Sequence, residues 1–141
     1  MNWIDRILMA VFRFFVIAGD SGPYMVRYKV FRCPWFKVFL HHILRSDEDS
    51  ELHDHPWAFV SLVLWRGYLE VLPGRRRLVR AGSVVRHRAA DAHRLVLDRP
   101  AWTLVCVTGK KRVWGFHTDD GWMSYTDFLD QKYGAGNWIP E

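Results

Sequence analysis

Cysteine is scarce in this chain: Cys33 and Cys106 are the two in 141 residues. Each lies in an apolar run, so a disulfide-stapled secreted scaffold is excluded and both are expected as free thiols. No apolar run is long enough to span a membrane. Residues 7–18 come nearest, but Arg13 interrupts them and twelve residues cannot cross ~30 Å of hydrocarbon. Phosphate-cradling and dinucleotide glycine fingerprints are missing, and so is Gly-x-Ser-x-Gly, which argues against nucleotide chemistry and a serine hydrolase. Repeats, low-complexity tracts and signs of a second domain are absent. The charge excess is small, 20 basic residues against 15 acidic, for a net +5. That balance is too mild and too uneven for a nucleic-acid surface, and no nucleic-acid partner is expected.

Aromatic and imidazole side chains are abundant instead. There are 8 Trp, 9 Phe, 5 Tyr and 7 His, and half of all residues are apolar. Aromatic enrichment favours sheets and lined cavities. Residues 1–22 read as an N-terminal amphipathic helix and its break, ending at Gly19 to Pro23. Asn2, Arg6, Met9 and Arg13 form a polar stripe on it, with Trp3, Ile7, Phe14 and Ile17 on the apolar remainder. The apolar face predicts docking on the main domain or a subunit partner, including a homodimer. Trp, Phe and Arg also suit a membrane surface, giving residues 2–18 a peripheral-membrane alternative on an otherwise cytoplasmic protein.

Residues 23–141 read as a β-domain. Strands are expected over 25–32, 35–44, 57–72 (broken near Arg66 and Gly67), 75–80, 82–87, 94–97, 101–107 and 112–117. Residues 120–122 read as a loop and 123–133 as a short helix. Turns every 8–12 residues predict an antiparallel barrel or sandwich of six to ten strands.

The chemistry concentrates at Leu52-His53-Asp54-His55-Pro56. On an extended chain, residues two apart share a face, so His53 and His55 can hold one metal ion. Imidazole suits Fe, Zn and Ni. At this point the chain resembles the cupin superfamily. The first cupin motif is His-x-His, three or four residues, Glu, six residues, Gly. Here His53, His55 and Gly67 match it, with Val60 where the Glu would stand. The second is Gly, five residues, Pro, one residue, Gly, two residues, His, three residues, Asn. Gly82 and His93 match in register, while Arg88, Ala90 and Leu97 replace the Pro, Gly and Asn.

The resemblance implies an all-β fold, the double-stranded β-helix or cupin jelly roll, with a helix at each end. It implies His53, His55 and His93 as metal ligands from two strands facing one another inside the barrel. Three-His iron sites are a feature of the thiol dioxygenases of this superfamily. The resemblance therefore implies a mononuclear Fe(II) oxidoreductase, dioxygenase-like, acting on a small molecule; Zn, Ni and Mn are alternative metals. Loss of the motif Glu, Pro, Gly and Asn keeps open a non-catalytic cupin that binds a metal or small molecule. Asp47, Asp49 or Glu51 would supply a carboxylate from the preceding loop.

Weaker candidates surround this set. His117 is a candidate catalytic or substrate-orienting group on a late strand, and Arg66 and Arg94 are candidate partners for a substrate carboxylate. His87 reads as a partly exposed strand residue. His41 and His42 point to opposite faces, so at most one turns inward. Arg75, Arg76, Arg77 and Arg80 follow Pro73-Gly74 and read as a solvated hairpin, with contact to an acidic partner or to nucleic acid as the alternative.

Overall fold

The computed structural model describes residues 1–138. In chain order the elements are α1 (Trp3–Val11), β1 (Phe14–Gly19), β2 (Gly22–Arg32), β3 (Phe36–Ile43), β4 (Leu52–His53), β5 (Phe59–Trp65) and β6 (Gly67–Leu72). They continue with β7 (Arg75–Arg80), β8 (Val84–His87), β9 (Arg94–Val96), β10 (Ala101–Thr108), β11 (Gly115–Thr118), β12 (Gly121–Ser124) and α2 (Tyr125–Tyr133). Among the described residues there are twelve strands, above the six to ten expected: β1 and the two-residue β4 are additional, and the stretch expected as a loop at 120–122 opens β12. All pairings are antiparallel.

Six strands form one sheet in the order β1-β2-β3-β10-β5-β8. Two three-stranded sheets, β12-β11-β4 and β7-β6-β9, complete the jelly roll. The main core lies between the large sheet and β7-β6-β9. It joins Met25, Ile43, Val63 and Val85 to Tyr68, Val79 and Leu95. Register decides which residues face it. Phe39, Val105 and Ser61 align across β3, β10 and β5 on the inner face; Leu40, Leu104 and Leu62 align on the outer face. The turn between β5 and β6 bends sharply. Gly67 has φ of 152°, and a Cβ there would lie 2.1 Å from the Val79 carbonyl oxygen, so only glycine fits.

The N-terminal segment corrects the sequence reading twice. The helix stops at Val11; Phe12 is extended, and Phe14–Gly19 pairs with β2 instead of continuing a helix to residue 18. The run Phe14-Phe15-Val16-Ile17 is aromatic and β-branched, and once an open edge at β2 is available the strand wins over helix propensity. The second correction concerns the docked side. Trp3, Ile7 and Val11 remain exposed, while Asp5 is fully buried. Asp5 caps the helix with Asn2, accepts a hydrogen bond from the Tyr28 hydroxyl, and lies 2.8 Å from Nδ1 of His42. The outer face of the sheet carries these two polar groups, so the helix meets it through a carboxylate.

Cys33 and Cys106 are both free, as expected from the sequence. Among the described residues no helix is long and apolar enough to cross a membrane.

Candidate metal centre

His53 and His93 are brought together by the backbone. Each donates its amide to the other's carbonyl at 2.9 Å, forming an isolated antiparallel bridge. The His55 amide donates to the Ala89 carbonyl at 2.9 Å, so the His-x-His segment lies alongside residues 89–93. The three histidines are thus neighbours across one short pairing, not residues on facing strands as expected. Their rings are 4.9–5.1 Å apart, centre to centre. One ligand nitrogen from each lies within 4.8 Å of the others.

Asp54, between the two histidines, points the opposite way and fixes them. It is 1% exposed. Its carboxylate accepts from the Gly115 amide at 2.8 Å and from the Trp122 indole at 2.9 Å, and Arg112 lies 2.7 Å away. Period two does the rest: with Asp54 tied to β11 and β12, His53 and His55 must face inward.

Burial favours the neutral form of His53 and His55. It pushes His55 well below the usual histidine range, and the neighbouring His53 and His93 add to the effect. It lowers His53 as well, outweighing the opposing pull of Asp47, whose carboxylate is 3.9 Å from the His53 Nδ1. A neutral imidazole is the form that donates a lone pair to a metal.

The carboxylate arrives from an unexpected place. Position 60, where the motif would place Glu, faces outward, and Val60 is 42% exposed. The inward neighbour Phe59 packs 4.8 Å from the His55 ring. Asp47 instead caps the Leu95 amide at 2.7 Å. Glu70 on β6 is fully buried behind the triad. Its Oε1 lies 2.7 Å from Nδ1 of His93 and 2.5 Å from Nε2 of His87, and its Oε2 accepts from Arg77 Nε at 2.5 Å. Burial raises a carboxyl, but these three partners outweigh it and hold Glu70 well below the ordinary range. His87 is therefore a buried partner of Glu70 and not a partly exposed strand residue. Glu70 shares parity with Tyr68 and Arg77 with Val79, but the sequence alone does not show that these positions face the core.

Among the described residues two overlapping sets could hold a metal: His53, His55 and His93, or Glu70, His87 and His93. The second set is internally satisfied, because both Glu70 oxygens and the ring nitrogens facing them are paired. The first is not. Nδ1 of His55 is buried with no hydrogen-bond partner. A buried polar atom without a partner costs about 1–3 kcal/mol, and a metal ion would relieve it. With Nδ1 of His93 held by Glu70, Nε2 is the nitrogen left for that ion.

The other candidates fall elsewhere. His117 is 44% exposed at its side chain and lies 3.2 Å from Asp54. Arg66 sits in the β5–β6 turn at φ 61°, its guanidinium 5.8 Å from the Trp65 ring. Arg94 donates to the Asp49 and Asp47 carbonyls, so it secures the acidic loop. His41 and His42 are both buried: Arg27 Nε donates to His41 at 3.0 Å on the inner face, and His42 stacks on Trp102 at 4.0 Å on the outer.

No family model and no curated protein matches the sequence. Solved structures do match the fold. The polyketide cyclase RemF from Streptomyces resistomycificus is 16% identical, with 87% of this chain and 88% of that one aligned at a TM-score of 0.66. A cupin-2 domain from Rhodospirillum rubrum is 12% identical, covering 86% and 81% at 0.65. Fe(II) HppE is 13% identical at 0.59; 70% of this chain aligns, and it spans 57% of that chain's length. The chain is a cupin-fold protein: an antiparallel jelly roll with a histidine cluster in its interior.

Proposed function

We propose that this protein is a metal-dependent cupin enzyme, in which His53, His55 and His93 hold one divalent transition metal and act on a small molecule. The observation that carries this reading is the convergence of three histidine rings around a buried, unpartnered Nδ1 of His55. Fe(II) is the favoured metal and dioxygenase-like oxidation the favoured class, supported by the three-His donor set and by the likeness to Fe(II) HppE. A metal bound there supplies a Lewis acid with positions left open for substrate, because three protein ligands do not fill its coordination. The chain's own residues do the positioning. Glu70 accepts the Nδ1 proton of His93, which fixes the tautomer and turns the ring. Asp54 holds the strand that carries the other two ligands. Phe59 packs edge-on against the His55 ring and forms one wall beside it.

Elemental analysis of untagged protein, loaded under reducing conditions, tests the reading. One metal per chain is expected, and His53→Ala, His55→Ala and His93→Ala should each remove most of it. Wild-type protein that stays empty, or variants that keep a full complement, would overturn it. Metal without oxygen consumption across small-molecule substrates would instead leave a non-catalytic binding module.

A further inference from the structure

A cavity of about 370 Å³ opens beside the histidine cluster. Three arginines, Arg75, Arg77 and Arg86, line it together with His87, Asp91 and His117. The arginines come from two strands. Arg75 and Arg77 are two apart on β7, so they share the face of Val79, which is buried in the core. Arg86 and His87 belong to β8, the edge of the large sheet. The run of arginines that reads as a solvated hairpin thus turns one face toward a concavity.

The charges in this cavity are not balanced from within. Arg77 is matched by Glu70. Asp91 accepts a hydrogen bond from the Arg88 amide at 2.7 Å. Among the described residues no carboxylate lies within ion-pair distance of Arg75 or Arg86, and Asp91 is the one carboxylate on the lining of this cavity. A second cavity of about 240 Å³ shares His117 with the first and is lined by Glu51 and Asp119. Its negative walls would repel an anion, which confines any anionic group to the arginine end. The floor of the arginine cavity is His87, whose ring is 4.6 Å from that of His93.

We propose that Arg75 and Arg86 form an oxyanion-binding subsite, taking the carboxylate or phosphate group of a small-molecule ligand, with Arg77 held ready between Glu70 and that group. The guanidinium fork pairs two N–H donors with two oxygens of either anion, and it does so best where a cavity limits water. The subsite deepens the metal-centre reading by naming the substrate class, a small organic anion, but its existence does not depend on the metal.

Titration calorimetry with inorganic phosphate and, separately, malonate at constant ionic strength reads the subsite directly. Potassium chloride replaces either anion as the control. Saturable binding of at least one anion is expected, weakened tenfold or more by Arg75→Ala and by Arg86→Ala. Arg80→Ala, an exposed change on the same strand outside the cavity, should leave it unaltered. Phosphate preference marks a phosphorylated ligand, and malonate preference a carboxylate. Equal melting temperatures for the variants show that the fold is intact. His53→Ala separates the two readings: it should lose metal and keep the anion. Non-saturable binding, or equal loss in Arg80→Ala, would overturn the subsite while leaving the metal result untouched.

Discussion

Asp5 and Glu70 are both fully buried carboxylates, and each binds a histidine. They sit on opposite sides of the large sheet and do different work. Asp5 lies outside the large sheet, tying α1 to Tyr28 and His42. The His42 ring is covered by Trp102, with planes 6° apart. Glu70 lies inside, tying β6 to His87, His93 and Arg77. Its histidines face three further rings and the arginine-lined cavity. The local chemistry is nearly the same in both places. What surrounds the histidine decides whether a buried carboxylate is a clasp or a support for a site.

The largest effect should come from breaking the two carboxylates separately. Glu70→Ala strands two buried imidazoles and a guanidinium, and losing one partner of a buried charged network costs roughly 3–5 kcal/mol. Asp5→Ala removes a cap and the partner of Tyr28 and His42, for roughly 2–3 kcal/mol. Urea denaturation should rank them in that order. Metal content should split them completely: Glu70→Gln, measured where it remains folded, should bind metal 10–100-fold more weakly because the acceptor of His93 loses its negative charge. Asp5→Asn should bind it as wild type does. Equal metal affinity in the two would erase the distinction.

A second effect depends on pH and separates histidines from carboxylates. His41, His42, His53 and His55 are all held below 6.5, chiefly by burial. The folded state therefore binds fewer protons than the unfolded chain below pH 6.5, and stability falls as pH falls. Metal-free protein should lose on the order of 1 kcal/mol per pH unit for each imidazole that stays neutral. The carboxylates act in a lower window. Asp5 and Glu70 are held below 3.8 and 4.5, so the stability they add is present above those values and is lost as pH falls through their folded ones. A urea midpoint that is flat from pH 7 to 5 would show that the four rings are solvated.

The sequence made the short-range part of this arrangement legible. His53 and His55 are two apart, and a strand's period puts them together whatever the rest of the chain does. Gly82 fixed the second-motif register that singled out His93, as Gly67 did for His53 and His55 in the first. The supports were harder to see because they depend on pairing between distant strands. Glu70 meets Arg77 through the β6–β7 register, and His93 meets His53 through a single bridge. No local pattern announces either, and motif matching directed attention to Val60, which points outward. Asp5 failed for another reason. Its helix looked as though it would dock by the apolar face, and the two polar groups waiting beneath it came from β2 and β3.

The smallest effect tests whether burial, rather than pairing itself, gives a carboxylate–histidine contact its value. His117 and Asp54 form a third such pair, at 3.2 Å, but the His117 side chain is 44% exposed. Water replaces the imidazole when it is removed, and Asp54 keeps the Gly115 amide, the Trp122 indole and Arg112. His117→Ala should therefore cost under about 1 kcal/mol, as exposed pairs do. Metal content should not change, since Asp54 still holds His53 and His55 in place. His117 also lines both cavities, so its removal can alter anion binding without altering stability. A loss of 3 kcal/mol or more on unfolding would mean that the exposed pair is as strongly coupled as the buried ones, and exposure would no longer separate the clasp, the support and the rim.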